Sequence, residues 1–262
     1  MNWMKKVLIS IAAALVLVAT GGQPAAANLT ADQILDKVKA NGKVDQVEFT
    51  VRMLLINKRG EKRERSVTAL KKGFDGRQRF VIRFLYPNDI KGTSLLTIDH
   101  PPGQEDDQFI YLPALHRTRR ITSSEKSKSF LGTDFSYEDF QVRDTDEDTH
   151  VLTGEEDVGG APCYRIESRP KHPDTANYSK VVTWVRKDIF VAVRGEYYDR
   201  EGKLLKELSI RKLEKIDGIW TATQSVMTNV QTDHKTLLEI TKVEYHKPMP
   251  DELFTREALE RG

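Results

Sequence analysis

The chain has 262 residues, with 41 Lys and Arg, 39 Asp and Glu, 39% hydrophobic residues and one cysteine. This length suffices for one large or two small domains, and the composition excludes a disordered chain and a polytopic membrane protein. A net charge of +2 is too small for a protein that binds nucleic acid through its overall charge. One cysteine excludes a disulfide framework and a multi-cysteine metal site, and we expect Cys163 to be buried and inert.

Residues 1–27 have the order of a secretory signal peptide. Lys5 and Lys6 precede an apolar run over residues 7–19, and residues 25–27 are alanines suited to cleavage. The run is shorter than the about 20 residues that span a bilayer, although a retained N-terminal anchor is the alternative. We predict a periplasmic mature chain, residues 28–262, that is formally neutral because both surplus cations lie in the signal.

The mature chain is predicted to begin with a helix over residues 30–39 and to continue mainly as strands. Thr30 and Gln33 have the spacing of a capping box at the helix start. Asp75-Gly76 is a hairpin signal, and residues 204–216 fit a strand or a helix, with the following Asp217-Gly218 favouring a strand. A short C-terminal helix is expected over residues 251–260. The other strands are predicted at residues 47–55, 63–74, 80–86, 179–185, 190–198, 220–230 and 236–245.

Many antiparallel strands joined by tight turns predict a mainly β, α+β protein with one large curved sheet or barrel. No linker divides residues 28–262, so we expect a single domain. A curled sheet has a concave apolar face that either encloses a cavity or is filled by the protein's own core, and the pattern leaves both possibilities open. The candidate residues for its inner wall are Phe49, Val51, Met53, Phe80, Ile82, Phe84, Trp184 and Trp220.

The sequence contains no recognisable catalytic motif. The six histidines form no HExxH pattern, and the nucleophile elbow, phosphate-binding loop and dinucleotide fingerprint are missing. We therefore predict no enzymatic activity and no cofactor, and rank an envelope lipid hydrolase last. Asp144, Asp146, Asp148 and Glu155 match four positions of a calcium loop, but Thr149 stands where the loop needs glycine, which favours a solvated acidic turn.

A basic cluster is the other charged feature of the mature chain. Its cations either contact anionic headgroups or an acidic partner, or they form the solvated face of a strand and its loop. The cluster consists of Arg117, Arg119, Arg120, Lys126 and Lys128.

Two motifs frame this cluster: Tyr-Leu-Pro-Ala-Leu at residues 111–115, and Ser-Phe-Leu-Gly-Thr-Asp-Phe-Ser-Tyr-Glu-Asp-Phe at residues 129–140. In this order and spacing they resemble the LolA-like outer-membrane lipoprotein-sorting proteins. The resemblance implies an incomplete antiparallel barrel, with helices covering a concave face that holds the acyl chains of a lipoprotein or lipid. It also implies a monomeric carrier between inner and outer membranes, working with an inner-membrane RND/MMPL or ABC-type transporter and an outer-membrane acceptor.

The motif residues are predicted to gate the cavity or dock a partner. Asp134 or Asp139 is expected to pair with an arginine of the basic cluster if the loop folds back. The alternative function is a non-catalytic accessory module of an envelope transporter, with a filled core. The motif residues meant here are Tyr111, Pro113, Arg117, Arg119, Arg120, Phe130, Gly132, Asp134, Phe135, Tyr137 and Asp139.

Overall fold

The computed structural model describes residues 29–101, 103–141 and 145–261, so the predicted signal peptide lies outside it. Its α-helices are α1 (Ala31–Asn41) and α2 (Arg256–Arg261). Its strands are β1 (Gln46–Ile56), β2 (Lys62–Phe74), β3 (Arg77–Tyr86), β4 (Ser94–Ile98), β5 (Asp107–Leu112), β6 (Arg117–Arg120), β7 (Asp148–Val158), β8 (Ala161–Pro170), β9 (Lys180–Arg186), β10 (Ala192–Tyr198), β11 (Leu204–Ile216), β12 (Ile219–Asn229) and β13 (His234–Tyr245).

All thirteen strands form one antiparallel sheet in the order β6-β5-β4-β3-β2-β1-β13-β12-β11-β10-β9-β8-β7. Neighbours in the sheet are neighbours in the chain, except that β1 pairs with β13. Strands β6 and β7 are the two edges, so the sheet is curved but not closed. The predicted mainly β, incomplete-barrel fold is confirmed.

The local signals act as the sequence predicts. Thr30 Oγ1 accepts from Gln33 N at 3.2 Å and Gln33 Oε1 accepts from Thr30 N at 3.0 Å, which completes the capping box of α1. Asp75 and Gly76 have φ of 47° and 82°, the left-handed pair that a tight β2–β3 hairpin needs. The predicted C-terminal helix is interrupted, because the extended Thr255 (φ −115°) separates a 3-10 turn at Asp251–Phe254 from α2.

Register pairs divide the sheet into two faces, since directly opposed residues point to the same side. We call inner the face that carries Phe84, Leu238 and Val185, and outer the face that carries Val81 and Trp184. Chain segments outside the sheet cover both faces.

On the outer face, the C-terminal segment packs over β3–β5. Phe254 and Leu259 are fully buried against Val81, Leu96 and Phe109. Burial of side chains of this size contributes about 1.5–3 kcal/mol each, which explains why the chain continues beyond its last strand.

The predicted state of Cys163 is confirmed: it is a free, buried thiol whose pKa is raised by burial. No helix within residues 29–101, 103–141 and 145–261 has the length and apolar character to cross a membrane.

Candidate functional site

The connection between the two sheet edges crosses the inner face. This crossing loop, described over residues 121–141 and 145–147, contacts successive strands: Phe130 lies on Phe84 of β3, Asp134 bonds to β13, and Asp139 bonds to β11. A connection between the edges of a curled sheet is shortest on the concave side. The loop therefore identifies the inner face as the concave one.

An aromatic cluster anchors the crossing loop between residues 130 and 140. The ring of Phe130, 1% exposed, lies 5.6 Å from Phe84, 5.5 Å from Tyr137 and 4.9 Å from Phe140. Burial also raises the pKa of Tyr137. Phe135, half-buried, packs 5.9 Å from Phe140. These contacts fill the inner face over β1–β5 with the protein's own side chains.

A buried polar network fixes the same segment of the loop. Lys206 Nζ donates to Asp139 Oδ2 at 2.5 Å, and these side chains are only 3% and 9% exposed. Tyr178 Oη donates to Asp139 Oδ1 at 2.9 Å and Ser136 N donates to Oδ2 at 2.7 Å. Burial and the charge of Asp139 raise the pKa of Tyr178, so it remains a phenol. With its partners in place, the buried Asp139 carboxylate is paired and hydrogen-bonded.

Asp134 joins the loop to β13. Its Oδ2 accepts from Thr236 Oγ1 at 2.6 Å and from His234 Nδ1 at 2.8 Å, while its main-chain oxygen accepts from Lys206 Nζ at 3.3 Å. The predicted pairing of Asp134 or Asp139 with the basic cluster is therefore wrong. The loop does fold back, but onto β11 and β13 rather than onto β6.

The turn at Leu131 and Gly132 lies beside Arg65 of β2. Both residues are left-handed, with φ of 51° and 79°, and the guanidinium of Arg65 donates to the Leu131 carbonyl. Arg65 also lies over the Phe84 ring at 5.8 Å, and its burial lowers its pKa. Glycine in this motif supplies the backbone conformation that the turn needs.

The basic cluster is largely neutralised within the protein. Arg119 and Lys128 lie 2.9 and 3.9 Å from Glu125, and hydrogen bonds from Thr122 N and Arg119 lower the pKa of that carboxyl to about 2. Arg120 pairs with Asp107 at 2.6 Å and the buried Lys126 with Glu105 at 2.8 Å. Four of the five cations thus have acidic partners, which weakens the case for a headgroup-binding patch.

Helix α1 covers the other end of the inner face. Ala31 and Ile34 are buried against Ile166 and Val185. Asn41 Nδ2 donates to the Ile189 carbonyl at 2.6 Å from the C-terminal end of the helix. The half-buried Leu35 and Val38 join this cluster, Asn41 Nδ2 also donates to the Phe190 carbonyl at 3.3 Å, and Lys37 Nζ lies 5.1 Å from the Phe190 ring.

Between the two covers lies a row of half-buried apolar residues that we call the central strip. Register pairs place them on the inner face, and three of them, Leu208, Ile210 and Ile240, belong to neither the loop cluster nor the α1 cluster. Half-buried apolar side chains on a concave face are suited to the contact of an apolar ligand. The strip consists of Val51, Leu208, Ile210, Leu238 and Ile240.

Six of the eight predicted wall residues lie on the inner face. Met53, Ile82 and Phe84 are buried under the crossing loop, while Phe49, Val51 and Phe80 are half-buried beside it. Trp184 lies on the outer face, where its Nε1 donates to Glu156 at 2.8 Å, because its β9 neighbours Thr183 and Val185 take the inner positions. Trp220 is 36% exposed, next to Lys215.

The predicted residues Tyr111 and Pro113 of the first motif lie outside the inner face, although Leu112 between them packs against the loop cluster. Tyr111 packs against the outer cluster, and Pro113 starts a 3-10 turn after β5. A Cβ on Gly92 would lie 3.3 Å from Pro113 Cγ, so the motif joins two neighbouring turns. Its role as a gate therefore has less support than that of residues 129–140.

The calcium pattern does not form a loop. Asp148 and Glu155 lie on β7, and seven steps of a strand separate them by about 23 Å, too far to share one ion. Asp144 lies outside the described residues, within which no group of three or more metal-ligating side chains occurs.

Several residues of the site are missed by sequence reasoning. Lys206, Tyr178 and His234 are polar residues in or beside predicted strands, and only register brings them to the loop. The signal for Lys206 was its place in an alternating strand, at an inner position that Leu208 and Ile210 continue.

The comparisons agree with this architecture. A family model described as an uncharacterized protein matches residues 76–261. A DUF1329 family protein from Desulfovibrio piger is 34% identical with a TM-score of 0.82, covering 86% of this chain and 96% of that one. A domain from Vibrio parahaemolyticus, assigned to outer-membrane lipoprotein sorting, is 30% identical with a TM-score of 0.82, covering 87% and 97%.

A LolA superfamily protein from Nitrosomonas europaea shares the fold at 19% identity and a TM-score of 0.71, over 88% of this chain and 99% of that one. No curated protein matches the chain. The chain therefore belongs to the DUF1329 family and has the LolA fold, which confirms the resemblance found in its sequence motifs.

Proposed function

We propose that the protein is a periplasmic carrier that binds the acyl chains of a lipoprotein or lipid on its inner face and moves them between the inner and outer membranes. The observation that carries this proposal is the central strip: apolar, half-buried and bounded by two separate covers. Each CH₂ group of an acyl chain that leaves water contributes about 0.8 kcal/mol, so an uncharged strip provides affinity without a catalytic group or a metal. The Vibrio relative assigned to lipoprotein sorting supports the same class of cargo.

The test is binding of a fluorescent fatty-acid probe to the purified protein and to a matched pair of variants. Ile240→Asp places a charge on the central strip, whereas Val226→Asp places it on the outer face of the neighbouring strand β12, on another half-buried apolar residue. We expect Ile240→Asp to weaken probe binding at least tenfold, because a carboxylate is costly to bury beside an acyl chain. Val226→Asp should leave it unchanged.

The accessory-module alternative makes the opposite prediction. The crossing loop already fills the β1–β5 part of the inner face, and a protein whose whole inner face is core would not bind the probe. A purified protein that yields no lipid on solvent extraction and binds no probe would contradict the carrier and favour the module.

A further inference from the structure

Exposed apolar side chains lie at the end of the sheet where β3 and β5 finish and β4 and β6 begin. The tip is our name for the two segments that meet there, residues 85–93 and residues 113–117. Tyr86 is 53% exposed and Leu115 is 66% exposed, and Leu85 is exposed beside Tyr86. Leu115 is the most exposed large apolar side chain in the described parts of the chain. The tip therefore presents to solvent the kind of side chain that a folded protein usually buries.

The two segments of the tip are held together by short-range contacts. Gly92 N donates to the Phe84 carbonyl at 2.8 Å, and a Cβ on Gly92 would lie 3.3 Å from Pro113 Cγ. His116 N donates to the Pro113 carbonyl at 3.0 Å, and His116 is left-handed with φ of 46°. The first motif thus builds a fixed turn that leaves Leu115 in solvent.

Cations without internal partners lie beside these apolar groups. Lys91 and Arg117 are exposed and form no ion pair within the described residues. Arg117 differs in this from the other four members of the basic cluster. Asp89 is the single carboxylate of the tip, and the neighbouring β1–β2 turn, residues 57–64, adds four exposed Lys and Arg against two Glu. This end of a formally neutral mature chain carries a local excess of positive charge.

This combination fits the surface of an anionic bilayer. Aliphatic and tyrosine side chains leave water at the boundary between headgroups and acyl chains, while nearby cations attract anionic headgroups. A stable protein interface buries about 800 Å² on each partner, far more than three apolar side chains offer. The small apolar area and the unpaired cations together favour a lipid surface over a protein partner.

We propose that the tip docks the protein on an anionic membrane surface, with Leu115 and Tyr86 inserted among the headgroups and Lys91 and Arg117 in contact with them. The tip lies at the end of the sheet rather than on its inner face, so this docking does not depend on the central strip. It goes beyond the carrier function because it specifies which end of the molecule faces a membrane.

The first experiment is flotation of the exported protein with lipid vesicles. Its N-terminus is determined by mass spectrometry beforehand, because residues 7–19 would bind vesicles by themselves if they were retained. We expect binding to vesicles of equimolar phosphatidylcholine and phosphatidylglycerol, weaker binding as salt is added, and little binding to phosphatidylcholine alone. No binding to the anionic vesicles would overturn the proposal.

Variants separate the two contributions to docking. Lys91→Ala/Arg117→Ala should weaken binding about thirtyfold, since each cation near a charged surface is worth about fivefold. Leu115→Ser should weaken it about tenfold through lost apolar burial. All three side chains are exposed, so urea unfolding of these variants should match that of the parent protein.

The matched control is Lys43→Ala/Arg211→Ala, which removes two exposed cations that form no ion pair within the described residues and lie outside the tip. It should change binding little. An equal loss in the control and in Lys91→Ala/Arg117→Ala would mean that attraction is spread over the whole surface, and the tip would be wrong.

The second experiment reads the orientation of the bound protein from quenching by brominated phosphatidylglycerol. The tryptophan of Leu115→Trp should be quenched on binding. Trp220, exposed at the opposite end of the sheet, is the control in the parent protein and should not be quenched. Quenching of Trp220 without quenching in Leu115→Trp would overturn the proposal. The carrier is tested by probe binding without vesicles, so either proposal can fail while the other stands.

Discussion

The two covers of the inner face are held by different forces. The crossing loop buries Phe130 among aromatic rings and inserts Asp139 into a network with Lys206 and Tyr178. Helix α1 buries Ala31 and Ile34, packs the half-buried Leu35 and Val38 beside them, and is held by its capping box, by Asn41 and by Lys37 over the Phe190 ring. It has no buried ion pair among the described residues. The loop is thus part of the core, whereas α1 is a cover that is easier to displace.

This difference indicates how cargo reaches the central strip. Opening on the loop side would expose several aromatic rings and separate a buried ion pair, each a costly step. Opening on the α1 side exposes a smaller apolar cluster than the one under the loop and separates no buried ion pair among the described residues. We therefore expect the strip to be reached by displacement of α1 while the loop remains in place.

The largest expected effect is that of Phe130→Ala. Truncating a fully buried phenylalanine costs about 3–5 kcal/mol through lost burial and the cavity left behind. Urea unfolding should show a loss of that size in the free energy of unfolding. Leu115→Ala, at a side chain that is 66% exposed, is the control and should change little. A small loss for Phe130→Ala would mean that the loop is not part of the core.

Asp139→Ala is expected to cause the second-largest loss in the free energy of unfolding. It leaves the ammonium of Lys206 buried without its carboxylate, which costs about 3–5 kcal/mol. The double variant Asp139→Leu/Lys206→Met should recover much of this loss, because no unpaired charge remains. Glu239→Ala, which breaks the exposed pair with Arg52, should cost less than about 1 kcal/mol. Equal losses of unfolding free energy for the exposed and the buried pair would contradict the conclusion that the buried pair holds the loop in the core.

Eight of the thirteen strands were readable because their signals are local, whereas β4–β8 are not among the predicted strands. Alternation along β1 and β3 and left-handed turn pairs such as Asp75-Gly76 specify hairpins without reference to the rest of the chain. The resemblance carried by the family motifs added the incomplete barrel.

The partners of the loop were not readable, because they depend on register across distant strands. Asp139 meets Lys206, 67 positions away, only because the loop crosses to β11. The basic cluster misled for a different reason: its acids, Glu105, Asp107 and Glu125, are close in sequence, but nothing in the sequence shows that they turn towards it. Trp184 could not be placed because both alternating sets of β9 carry apolar residues, Val181 and Val185 on one face and Val182 and Trp184 on the other, so alternation alone does not tell the inner face.

The variant with the smallest expected effect on stability, Thr30→Ala, tests most directly whether the two covers open independently. Thr30→Ala removes the N-cap of α1 and should cost about 1 kcal/mol, equivalent to a roughly fivefold change in a local opening equilibrium. Amide exchange along α1 should accelerate by about that factor, whereas the Phe130 and Thr133 amides should not respond. Probe association should become faster, because α1 opens more often.

Thr122→Ala provides the mirror-image control, since Thr122 caps a 3-10 turn within the crossing loop by the same capping-box geometry. It should accelerate exchange near that turn and leave both α1 and the rate of probe association unchanged. If Thr30→Ala instead accelerates exchange in the helix and the loop together, the two covers open as one cooperative unit. Cargo access would then require the whole inner face to be uncovered, and α1 could not act as a separate cover.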